Sequence, residues 1–269
     1  MAVARHLHFG RAAAELHIAQ PVLSRQIRAL ETELHATLFR RDKRSTELTE
    51  AGRQLLSDAG PLLAGADALR RRVARAARGR DRFVVGFMPG LIVTDAVRAI
   101  RERHPGLTVD LLRTGWNDQT DVVHDGRADV SYVRLPVDQR GLTLRPLLTE
   151  PRVAMLPATH RLAGKETVEI AELAGDPLLQ DPAAVPEWPG VPAGAPPVYA
   201  VEEKLEHVAS GRGVVVLPLS TARFYTRPDV LWARISDIPP NRVCLAWEST
   251  RRDPVMAEFA VVAEEFPAA

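Results

Sequence analysis

Between residues 8 and 34 the apolar positions repeat with a helical period. Leu23, Ile27, Leu30 and Leu34 follow i, i+4, i+7 and i+11, one face of a helix that Gln20-Pro21 opens. Pro21 falls near the first turn, where a missing backbone N–H costs nothing. Ahead of it, Arg11–Leu16 is a short alanine-rich helical run that ends in His17-Ile18-Ala19. Two helices joined this way over residues 8–33 predict a helix-turn-helix. Gln20, Ser24, Arg25 and Arg28 occupy the opposite side of the second helix. An amide, a hydroxyl and two guanidiniums on one face suit phosphate oxygens and base edges in a major groove. A solvated amphipathic helix would show the same spacing.

Leu38–Leu48, LFRRDKRSTEL, reads as a hairpin carrying Arg40, Arg41, Lys43 and Arg44. Beside a recognition helix it would act as a wing on backbone phosphates, which supply affinity rather than sequence readout. From Thr49 to Arg78 the period becomes heptad-like. Leu55, Leu62, Leu69 and Ala76 fall at one core position, with Ala59, Ala66 and Val73 at the other. That alternation is a coiled-coil seam and predicts a linker helix over 49–80 that pairs with a second copy. Gly60-Pro61 is expected to interrupt and bend it. Arg70, Arg71, Arg72, Arg75 and Arg78 read as solvated charges that favour the C-terminal end of the helix dipole.

After a hinge at Gly79-Arg80-Asp81 the pattern alternates between strand and helix. Phe83–Phe87, Leu107–Leu112 and Ala128–Val133 read as strands, with helices over Leu91–Arg103 and Asn117–Asp125 between them. Such alternation predicts βαβ units and a parallel sheet. Strands at Thr143–Leu147 and Arg152–Leu156 and a short helix at Val168–Ala174 come next. Pro177–Pro197 holds seven prolines and reads as irregular. Strand Val198–Val201, helix Glu202–Ser210 and strand Val214–Leu217 follow. A short helix near Thr221, strands Leu231–Ile235 and Val243–Trp247, and a helix through Met256–Phe266 complete the chain. The fold class is α/β overall.

Charge sharpens this division. Residues 1–80 carry 15 Lys and Arg against 8 Asp and Glu, whereas residues 81–269 carry 20 against 26. A basic head on an acidic body suits a DNA-binding module joined to something else. Cys244 is the single cysteine, which excludes an intrachain disulfide, and it reads as a core residue. No apolar run approaches 18 residues and the N-terminus lacks a signal-peptide core, so a cytoplasmic protein without membrane contact is expected.

The wording of the head is more specific than its period. Phe9–Glu31, FGRAAAELHIAQPVLSRQIRALE, with LFRR at Leu38–Arg41 and LTEAG at Leu48–Gly52, closely resembles the LysR-type transcriptional regulators. The resemblance continues along most of the chain. It implies a winged helix-turn-helix over 1–48, the linker helix, and a two-lobed effector-binding domain over 81–269, similar in architecture to periplasmic binding proteins. One lobe would be 82–152 plus 222–269, and the other 153–221. It also implies a double-stranded operator, a small-molecule effector, a homodimer or homotetramer, and no cofactor. Two departures stand out. The first helix begins about two turns late, which implies either that the given start is not the biological one or that the head is less stable than in relatives. Ala19 stands where relatives have a capping Ser, a loss of ~1 kcal/mol.

In open α/β sheets ligands lie beyond the carboxyl ends of strands, at the switch point. Met88, Pro89, Gly90 and Leu91 follow the first strand, Thr114, Trp116 and Asn117 the second, and Arg134, Leu135 and Pro136 the third. Glu202, Glu203 and Lys204 open the helix of the other lobe. Relatives that bind carboxylates often place Ser or Thr in the first of these loops. Met-Pro-Gly-Leu there counts against a simple carboxylate, while Arg134 could pair with an anion. Trp116 is a stacking surface or a lobe-core aromatic.

Catalytic and metal patterns fail. There is no G-x-S-x-G or H-E-x-x-H, and Gly211-Arg212-Gly213 precedes its strand rather than following one. The eight histidines are scattered without metal spacing. An enzyme is not expected. The competing reading is a ligand-binding protein, or a small enzyme on the two-lobed fold, with a degenerate DNA-binding head.

Overall fold

The structure is a computed structural model that describes residues 1–41, 46–77, 81–190 and 200–268. The chain divides into two compact units, Met1–Val73 and Ala74–Ala269.

In the first unit α1 (Ala2–His6), α2 (Phe9–Glu15) and α3 (Gln20–Glu33) precede a hairpin of β1 (Phe39–Arg41) and β2 (Thr46–Leu48). Val3, Phe9, Ala12, Ala13, Leu23, Leu38 and Phe39 form its core, with the rings of Phe9 and Phe39 edge to face at 5.8 Å. Val3 lies on α1, so the short first helix still contributes to burial. Arg5 and His6 tie it to Glu15 on α2 at 2.9 and 2.5 Å. The two strands pair antiparallel, Phe39 opposite Leu48, within the segment read as a hairpin. The Glu31 carboxylate accepts from the Leu38 and Phe39 amides and fixes where the hairpin leaves α3.

Then α4 (Glu50–Ala77) runs as one helix of 28 residues, about 42 Å long. Thr49 caps it by accepting from the Gly52 amide at 3.0 Å. Gly52 is obligatory, because a Cβ there would lie 2.2 Å from the Leu38 carbonyl oxygen. The expected interruption at Gly60-Pro61 is not found, for the helix continues through both residues. Proline removes only one hydrogen bond of the ladder, and the turns on either side are long enough to hold.

The second unit contains two sheets. Strands β3 (Arg82–Phe87), β4 (Thr108–Arg113), β5 (Val130–Arg134), β6 (Leu142–Glu150) and β11 (Asn241–Glu248) form the first, ordered β4-β3-β5-β11-β6. The β3, β4 and β5 strands are parallel, as the alternating pattern predicts. The sheet as a whole is mixed, since β11 runs antiparallel to both β5 and β6. Helices α5 (Thr94–Arg103) and α9 (Pro254–Glu265) carry apolar positions into the core built on Phe83, Val85, Ile100, Tyr132, Leu245 and Phe259. On α6 (Asp121–His124), Val122 and Val123 pack with Val84 and Leu112 in a separate cluster. Neighbouring Phe83 and Val84 thus serve different clusters, as a strand buried on both faces requires.

The second sheet, ordered β8-β10-β7-β9, consists of β7 (Arg152–Pro157), β8 (Thr167–Val168), β9 (Val215–Pro218) and β10 (Val230–Ile235). Helix α7 (Val201–Ala209) lies on it through Val201, Leu205 and Val208, and α8 (Leu219–Phe224) follows β9. The expected helix at 168–174 is a 3-10 turn, Ile170–Leu173, and Val201 opens α7 instead of ending a strand.

One boundary needs correcting. Residues 222–269 do not all return to the first lobe, because β10 pairs antiparallel with β7, Val230 opposite Pro157. The chain therefore crosses between sheets at Pro151 and again between Ile235 and Asn241. This moves α8 into the second lobe, where it contributes to the facing wall.

Candidate nucleic-acid interface and effector cleft

The N-cap of α3 is Ala19, with no side-chain hydrogen bond, as the missing Ser implies. Leu23 is buried, and Ile27 and Leu30 pack on the same core. Leu34 departs from the expected stripe. It is the C-cap of α3 and exposed. On the other side Gln20, Pro21, Arg25 and Arg28 are exposed and Ser24 is half-buried. Gln20, Ser24 and Arg28 recur at four-residue steps, so they share one face with Arg25 alongside. Among the described residues no hydrogen bond or ion pair occupies the guanidinium of Arg25 or Arg28. In the wing Arg40 is exposed, whereas Lys43, Arg44 and the side chain of Arg41 lie outside what the structure describes.

Along α4, Leu62, Leu69 and Val73 are 74%, 56% and 61% exposed, and Ala66 is exposed with them. Leu55 differs, since it packs on the core of the head, and Ala59 is half-buried. The open apolar seam is therefore its C-terminal half.

In the second unit the carboxyl ends of β3, β4 and β5 come together, with Phe87 in register with Arg113. The first predicted loop is packed rather than open. Met88 and Leu91 are buried in the lobe core. Gly90 adopts φ +83°, and a Cβ there would lie 2.4 Å from the Thr221 Cα on α8. The Thr221 hydroxyl donates to the Pro89 carbonyl at 3.0 Å, closing the loop against the second lobe. Pro89 and Gly90 thus form a lobe-to-lobe contact, and Met88 and Leu91 belong to the lobe core, so this loop is not a free ligand surface. Thr114 is also buried and donates to the Phe87 carbonyl, while Asn117 is exposed.

Arg134 is corrected most strongly. It is 1% exposed, and its guanidinium is already paired with the Glu150 carboxylate. The same group donates to Asn241 Oδ1 and to Ser220 Oγ, each at 2.8 Å. Its backbone amide donates to Gln119 Oε1 at 2.7 Å. Glu150 also accepts from the Ser220 amide at 2.6 Å. Burial lowers the pKa of Arg134, which the charge of Glu150 opposes. One side chain thus joins the end of β5, the ends of both crossovers and the start of α8. Such a residue fixes lobe geometry and has no free charge for a ligand. Leu135 packs beside Val133 and Cys244, and Pro136 is exposed. Cys244 is buried, and burial raises its pKa, which keeps it a thiol.

At α7, Glu202 is exposed and lies 3.5 Å from Arg113 at the end of β4. Glu203 instead accepts from the Ala200 amide and caps the helix. Lys204 lies about 160° round the helix from Glu202, so the two do not wall one site. Burial lowers the Lys204 pKa. Sequence reasoning missed Arg113, Gln119, Glu150, Ser220, Thr221, Tyr225 and Asn241. Arg113 fell between a strand read as ending at Leu112 and a loop read from Thr114. The others are brought to Arg134 or Arg113 by contacts between residues distant in sequence, which local patterning does not reveal. Trp116 packs partly on the lobe core, 6.0 Å from the Arg134 guanidinium, and its Nε1 is buried without a partner. A cavity of about 220 Å³ lies within the second lobe, beside Met155, Ala222, Val230 and Trp232, and it shares Tyr225 with the contact to Arg113. Among the described residues no cluster of His, Cys, Asp and Glu could hold a metal ion, and no helix is long and apolar enough to cross a membrane.

Residues 1–53 match the family of bacterial regulatory helix-turn-helix proteins of the lysR type, and residues 76–266 match the LysR substrate binding domain. The Hca operon transcriptional activator HcaR of Escherichia coli is 29% identical over 98% of this chain and 95% of its own length. The regulator IlvR of Caulobacter vibrioides is 31% identical over 95% of this chain and 92% of its own. A mutant of OxyR from Corynebacterium glutamicum superposes with a TM-score of 0.57 at 26% identity, covering 98% of this chain and 89% of that one. The first of these relatives is named as a transcriptional activator and the second as a transcriptional regulator. With both parts matched in order, the chain belongs to the LysR family of transcriptional regulators.

Proposed function

We propose that the chain binds a double-stranded operator through α3 and responds to a small-molecule effector held between its lobes. Gln20, Ser24, Arg25 and Arg28 read the major groove, and the wing around Arg40 grips phosphates. The observation that carries this reading is the face of α3 itself. Its guanidiniums are exposed and, among the described residues, have no hydrogen-bond or ion-pair partner, on a helix whose opposite side is pinned to a core. The basic excess of residues 1–80 supports the same reading. A regulator of this kind acts in the cytoplasm.

Two copies pair along α4 through Leu62, Ala66, Leu69 and Val73, whose open apolar side chains support a seam. Effector closure of the lobes then alters the geometry that the paired helices pass to the two recognition helices, which requires different affinity for the two states.

Selection of duplexes from a random library, followed by footprinting, tests the DNA-binding role. Wild-type protein enriches a two-half-site sequence, and Arg25→Ala with Ser24→Ala abolishes its protection while folding normally. Failure to enrich any sequence overturns the reading. Leu62→Glu with Leu69→Glu is expected to sediment as a monomer or aggregate, because charges there would be buried without partners.

A further inference from the structure

We propose that Arg113, with Tyr225 beside it, is the anion-reading residue of the effector cleft, and that the effector is a small organic acid whose carboxylate replaces Glu202 on Arg113. This rests on the reading of the inter-lobe cleft as the effector site.

Arg113 ends β4 at the carboxyl edge of the parallel strands, beside Phe87. From the first lobe it reaches two groups of the second. Its Nη2 lies 3.5 Å from Glu202 Oε2 on α7 and 3.4 Å from the Tyr225 hydroxyl after α8. The side chains of Arg113 and Glu202 are 50% and 55% exposed. Both contacts are long and open to water, so little is lost when a ligand takes them over. A guanidinium fork offers a carboxylate two parallel hydrogen bonds, which the present contact with Glu202 does not use. Tyr225 accepts from Arg113 and so keeps its proton for a carboxylate. Burial first, and the charge of Glu202 next, raise its pKa and hold that proton in place.

An unused hydrogen-bonding group nearby favours the same class of ligand. Trp116 Nε1, three residues beyond Arg113, is buried without a hydrogen-bond partner among the described residues and can only donate. The buried carboxylate of the cleft, Glu150, is consumed by Arg134 and by the Ser220 amide and hydroxyl. That carboxylate is therefore not available to a cationic ligand. The departure at Met88–Leu91 removes hydroxyl donors from one loop, and Arg113 supplies the donor from another.

The test uses the full chain and a defined panel. Benzoate, salicylate, acetate and succinate are compared with benzamide and benzylamine by thermal shift and by calorimetric titration. At least one carboxylate is expected to stabilise the protein while its neutral and cationic counterparts do not. Arg113→Ala should weaken that carboxylate at least tenfold, and Glu202→Gln should tighten it several-fold by removing the internal competitor. Both variants should keep wild-type circular dichroism and operator binding. A panel with no stabilising carboxylate, or one whose carboxylate binds Arg113→Ala as tightly as wild type, overturns the assignment. Binding of benzylamine that is lost in Glu202→Gln also overturns it, yet leaves the cleft reading intact. Carboxylate binding indifferent to Arg113, Glu202 and Tyr225→Phe together contradicts the cleft reading itself.

Discussion

Two arginines end strands on either side of β3 and face the same junction, yet they have opposite surroundings. Arg134 is buried, and Glu150, Asn241 and Ser220 take up its guanidinium. Arg113 is half exposed, and long contacts to Glu202 and Tyr225 leave its fork open. Both carry the same charge at equivalent strand ends, so position in the sheet does not decide their roles. The number and burial of the partners does. A charge enclosed by fixed partners holds the lobes, and a charge with weak partners is available to a ligand.

Changes at Arg134 should give the largest effect. Arg134→Ala leaves Glu150 buried and unpaired, a loss of about 3–5 kcal/mol. Urea unfolding followed by circular dichroism should show it with or without ligand. A loss below 1 kcal/mol would erase the distinction between the two residues. Next in size is Gly90→Ala. A left-handed backbone without glycine costs about 1–3 kcal/mol, and the new methyl must also push α8 away. Its midpoint should therefore fall between those of Arg134→Ala and wild type. Smallest is Arg113→Ala, within about 1 kcal/mol of wild type, since an exposed, solvent-screened pair contributes little. The same denaturation series measures it.

Much of the frame was legible because local spacing determines it. Leu23, Ile27 and Leu30 with Pro21 define α3, and alternation of strand and helix defines β3, α5, β4 and β5. What escaped depends on contacts between distant residues. Nothing near Val230–Ile235 says that its partner is β7 rather than a strand of the first lobe. The same distance effect hid the burial of Arg134, whose partners lie 16, 86 and 107 residues away. It also hid the packing of Gly90 on Thr221, which leaves no space for a larger side chain. The continuity of the helix through Gly60-Pro61 has a different reason. A breaker signal is local, but a 28-residue helix has enough turns on either side to carry it.

The central claim is that one small acid and one operator are linked through the same molecule. Linkage requires that each change the other's affinity by the same factor. The carboxylate found by the panel should be titrated into free protein and into protein saturated with its operator, and the operator titrated with and without that carboxylate. The account predicts equal factors, well away from one, from the two directions in wild type, and factors of one in Arg113→Ala. A carboxylate that binds at Arg113 but leaves operator affinity unchanged would contradict it.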